Sequence, residues 1–132
     1  MAQLAAERMD ADALAELAAT VASMEERLDD QTTFLEANKR FHDIIAWSSG
    51  NALFGYLVDA MADILDGTML GIDYPPHRRT AILKAHRRIL DALKNKDSEA
   101  ARQAMAAHIG EYVRYAERKF PDVLSKRVAW EG

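Results

Sequence analysis

The chain has no cysteine. That excludes a disulfide framework and any thiolate chemistry. Proline is scarce, with three residues, and glycine occurs only six times in 132. Ala, Leu, Glu and Arg are frequent instead, a balance that favours helices over strands. No apolar run approaches the roughly 20 residues a bilayer span requires. The opening "MAQLAAERMD" lacks the basic start and long apolar core of a secretory signal. A cytoplasmic protein without membrane association is expected. Positive charge is also lacking: the formal net charge is −4. Basic pairs such as Arg78-Arg79 and Arg87-Arg88 are offset by acids, and no Lys/Arg face with interleaved aromatics is visible. Direct nucleic-acid binding by this chain is therefore not expected.

What is present reads as one all-α domain, an antiparallel bundle of about six helices spanning 1–132. Leu14, Leu17, Val21, Met24 and Leu28 form the stripe of a helix from about Ala11 to Asp29, with Asp10 or Asp12 to cap it. A second helix runs from about Thr32 to Ser48; Gly50 suits a left-handed ending and Asn51 the next N-cap. A third covers Ala52 to Met69 or Leu70, until "GIDYPP" breaks it. A fourth runs from Pro76 to about Asn95, a fifth from Asp97 or Ser98 to about Phe120, and a short last one from Val123 to Trp130. The segment "AQLAAERM" reads as the tail of a further helix. Trp47, Met61 and Met69 fit stripes or their edges and are expected to pack in the core.

The stretch "FLEANKRFHDIIAWSSGN", residues 34–51, is at odds with itself. Phe34, Phe41, Ile45 and Ala46 make a buried stripe at helical spacing, yet Asn38 and His42 sit within it, one turn apart. A buried polar group costs a few kcal/mol unless it finds a partner. His86, on a face with Ile82, Ile89, Leu90 and Leu93, and His108, with Ala101, Met105 and Tyr112, raise the same question. His77, beside Arg78 and Arg79, reads as solvated. His86 and His108 are equidistant from residue 97, in the "NKDS" turn. In an antiparallel hairpin each lies about 15 Å from that turn, so the rings can meet. A third helix carrying Asn38 and His42 on one face would complete three imidazoles and an amide oxygen. Such a set suits zinc, nickel, copper or iron. The competing reading is a buried polar network closed by carbonyls and water.

"NKRFHDIIAWSSGN", followed by "AHRRILDALKNKDSEAARQAMAAHI", resembles the FCD class, the all-helical effector domain of GntR-type transcriptional regulators of the FadR subfamily. Asn38, Phe41-His42, Gly50-Asn51, His86, Asp97 and His108 carry the likeness, which extends to about residue 120. The resemblance implies a divalent metal, zinc or nickel, held by Asn38, His42, His86 and His108, a small organic acid effector beside it, a homodimer, and Arg79 as a basic pocket residue. Two departures follow. The family's usual carboxylate ligand is replaced by Asn38, which leaves the ion's double charge unopposed; metal affinity should fall and attraction for an anion should rise. The winged helix-turn-helix of such regulators is not in this sequence, and the first effector-domain helix looks cut short. A bundle serving only dimerisation is the alternative. A metal-dependent hydrolase or lyase is a weaker one, because Glu36, Asp43 and Asp91 flank the stripes and offer no inward general base.

Overall fold

A computed structural model describes residues 1–65, 73–119 and 121. Its described residues form six helices and no strand: α1 (Ala2–Arg8), α2 (Ala11–Glu26), α3 (Gln31–Ser48), α4 (Ala52–Leu65), α5 (Pro76–Lys94) and α6 (Ser98–Lys119). The expected all-α bundle is observed. The end of the third predicted helix beyond Leu65 and the short helix expected from Val123 to Trp130 lie outside the described residues.

Local chemistry sets the boundaries. Asp10 caps α2, accepting from the Ala13 N–H at 2.8 Å. The helix stops at Glu26, three residues before the expected end, and residues 27–29 turn so that Asp30 can cap α3. Gly50, at φ +76°, takes the left-handed conformation expected of it. Above it lies the Arg8 side chain, whose Nη1 donates to the Ser49 carbonyl and ties α1 to the α3–α4 turn. Pro76 opens α5 at a position where its missing N–H costs nothing. That helix closes with the Asp97 N–H on the Ala92 carbonyl and the Lys96 N–H on that of Leu93. This is a Schellman ending with Lys96, at φ +52°, in the place usually held by glycine. Asp97 then caps α6 through the Ala100 N–H.

Leu17, Met24, Phe34, Phe41, Ile45 and Ile89 are fully buried at the centre of the bundle. The pairs α2–α3 and α5–α6 pack most closely, and α1 lies across α3 and α6. The segment entering α5 is pinned by three hydrogen bonds. The Tyr74 N–H donates to Gln31 Oε1, Tyr115 Oη donates to the Asp73 carbonyl, and Arg79 Nε donates to the Tyr74 carbonyl. The first and last of these bring the starts of α3 and α5 together, so these helices run parallel, with α4 and α6 reversed beside them. Trp47 and Met61 depart from the expected core packing: each is 42% exposed. The indole instead lies on Gly55, where a Cβ would come within 2.4 Å of the ring, and edge-on to Tyr56.

Candidate metal centre

His42 on α3, His86 on α5 and His108 on α6 meet in the interior. His86 Nε2 lies 3.1 Å from His108 Nε2, which in turn lies 3.3 Å from His42 Nε2. One ligand atom from each ring falls within 4.8 Å of the others. The hairpin register explains the first contact. The Schellman turn places the rings of α5 and α6 level, and the parallel course of α3 brings His42 alongside.

A ring nitrogen has a single in-plane position, filled by a proton or a lone pair. His108 Nε2 cannot aim that one direction at both neighbours. A cation between the rings would accept a lone pair from each. Nitrogens about 2.0–2.1 Å from a shared zinc stand about 3.3 Å apart in a tetrahedron. The separations of 3.1 and 3.3 Å fit that spacing. The donor set fits a borderline transition metal and not a hard ion such as calcium.

The rings are held by packing. His86 stacks on Phe41 with centroids 3.9 Å apart and planes 10° from parallel. His42 and His108 lie nearly parallel to one another, and both stand roughly perpendicular to His86. His86 Nδ1 is buried with no hydrogen-bond partner among the described residues. Burial keeps all three rings neutral, the form a metal needs. It pushes His42 down to about 3, with the His108 ring adding to the effect. His86 is held well below the ordinary imidazole range, by burial first and then by His42 and His108. His108 is lowered to about 4 by burial; Glu111 opposes the shift and Arg78 assists it.

A cavity of about 240 Å³ opens beside the rings. Asn38, His42 and His108 all line it, so three of the four expected ligand positions border one space; His86 is fully buried and is not part of its lining. Arg79 is placed elsewhere. Seven residues return a helix to within about 20°, so Arg79 shares the core-facing stripe with His86 and is buried. Its Nε is bonded to the Tyr74 carbonyl and its Nη1 to that of Leu28, so its guanidinium fastens the start of α5 to the end of α2. The arginine that lines the cavity is Arg78, with Cζ 4.3 Å from the centre of the Tyr115 ring. The family resemblance pointed to Arg79, which shares a face with His86; Arg78, which lines the cavity, lies about 100° around the helix from it. His77 is exposed, as expected, and Tyr112 lines the cavity.

Comparison with known proteins agrees with this architecture. Residues 1–111 match the FCD domain family. The chain is 30% identical over 79 residues to YdhC of Bacillus subtilis (strain 168), described as an uncharacterised HTH-type transcriptional regulator; the match covers 60% of this chain and 35% of that protein. The chain thus spans about a third of the length of that curated relative. The structure of E. coli McbR/YncC superposes with a TM-score of 0.74 at 20% identity, over 90% of this chain and 61% of that one.

Proposed function

The chain belongs to the FCD domain family, a family of transcriptional regulators and not of enzymes, and from that premise we propose that this regulatory, effector-binding bundle is a metal-anchored sensor of small carboxylates. The observation that carries the reading is the approach of three Nε2 atoms at the spacing of a shared ion. His42, His86 and His108 would hold zinc or nickel, with Asn38 as a neutral fourth donor and an open position toward the cavity. With no ligand charge to offset it, the ion would draw the carboxylate of an effector. In a full regulator acting as a cytoplasmic homodimer, the effector would bias how two such domains hold their DNA-binding heads. That requires the effector to prefer one arrangement.

The test is metal content. The purified chain should carry close to one equivalent of zinc or nickel by elemental analysis, and the His86→Ala/His108→Ala variant almost none. Equal metal in both removes the site.

One observation supports a purely structural bundle: 3.1 Å is also an ordinary hydrogen-bond distance between His86 and His108. A melting temperature unmoved by zinc or nickel would favour that reading, since a ligand of the folded state must raise apparent stability.

A further inference from the structure

The cavity beside the imidazoles is lined by apolar side chains from three helices and by Arg78. Arg78 and Ile82 line it from α5, one turn apart, and Arg78 precedes His86 by eight residues. Eight residues of helix rise about 12 Å, so Arg78 stands two turns from the imidazole level. Facing rows come from α3, with Asn38 and His42, from α4, with Val58 and Ala62, and from α6, with Met105, Ile109 and Val113. Lys39 and Glu111 also line it, from α3 and α6, with opposite charges. At the far end the Arg78 guanidinium lies over the Tyr115 ring, and its Nε is buried without a hydrogen-bond partner among the described residues.

We infer that the effector is a dicarboxylic acid with an apolar spacer. One carboxylate sits at the histidine-bound metal and the other at Arg78. The inference rests on the sensor reading above and names its ligand class. A monoacid of that length would lay an apolar tail against Arg78 and leave its buried donor unmet. A span of about 12 Å, less the contacts at each end, suits a chain of roughly six to eight carbons.

Calorimetric titration of the zinc-loaded chain tests this. Straight-chain dicarboxylates of three to ten carbons, monocarboxylates of the same lengths and citrate are compared. The tightest binding is expected at six to eight carbons, at least tenfold tighter than the matching monoacid. Arg78→Met should bring that ratio close to one. Citrate or succinate as the tightest ligand, equal affinity for mono- and diacids, equal losses for both in Arg78→Met, or no acid bound would each overturn the inference. Zinc titration beforehand, and the same series in chelator, separate the two readings. Zinc bound without a length optimum removes the dicarboxylate alone. A length optimum persisting with no zinc bound removes the metal alone.

Discussion

Acidifying the metal-free domain from pH 7 to 5.5 should remove up to about 4 kcal/mol of its stability. His42, His86 and His108 are kept neutral in the folded chain, with His42 near 3 and His108 near 4, whereas in the unfolded chain each titrates near 6.5. Below 6.5 the unfolded state takes up protons that the folded state refuses. Stability is therefore full above about pH 7.5 and falls as the solution is acidified. Between pH 7 and 5.5 each ring contributes about 1.2 kcal/mol to the loss, and three rings about 4. The decline continues until the folded rings themselves protonate, near pH 4 for His108 and near 3 for His42. Glu111 and Arg78 act on His108 in opposite directions and change the figure little. Glu99, held near 2 by Arg102 and Gln103, and Asp30, also lowered, keep their charge through this window in the folded chain. A loss of this size is a large part of what holds a domain of this length folded. Urea unfolding followed by circular dichroism, in chelator at both pH values, measures it. A difference under 1 kcal/mol, or one unchanged in His86→Leu, would refute the reasoning.

Other expectations concern single residues. Asn38→Asp supplies a charged donor, so zinc affinity should rise at least tenfold and affinity for anionic effectors should fall, both read by calorimetry. Arg79→Met breaks two hydrogen bonds from a buried guanidinium and should cost about 2–3 kcal/mol of unfolding free energy without moving zinc affinity; weakened zinc binding would place Arg79 at the site after all. Lys96→Gly relieves a left-handed non-glycine residue and should stabilise by about 1 kcal/mol, visible as a raised melting temperature. Gly55→Ala drives a methyl into the Trp47 ring and should cost about 1–3 kcal/mol, with a shift in tryptophan emission.

The helices and the histidine convergence were legible because both follow from periodicity. Three polar rings on apolar stripes, two of them equidistant from a turn, leave few ways to pack. The choice between Arg78 and Arg79 was not legible. Neighbouring residues on a helix differ by 100°, and only the packing of α2 and α3 against α5 decides which one meets carbonyls and which meets the cavity. Trp47 and Met61 were misread for a similar reason. Their spacing fits a stripe, but both remain 42% exposed, and the indole rests on Gly55 of α4. The second helix was expected to begin near Thr32 with no cap named, whereas Asp30 caps it one residue earlier.

The reversal after α5 acts as a gauge for everything beyond it. Its five residues from Lys94 to Ser98 fix where α6 starts counting. One inserted residue there would advance α6 by about 1.5 Å and swing it about 100°, turning His108 away from its companions while leaving every helix intact. A homologous chain that differs only in the length of this bend should fold in the same way and yet be deaf to the ion.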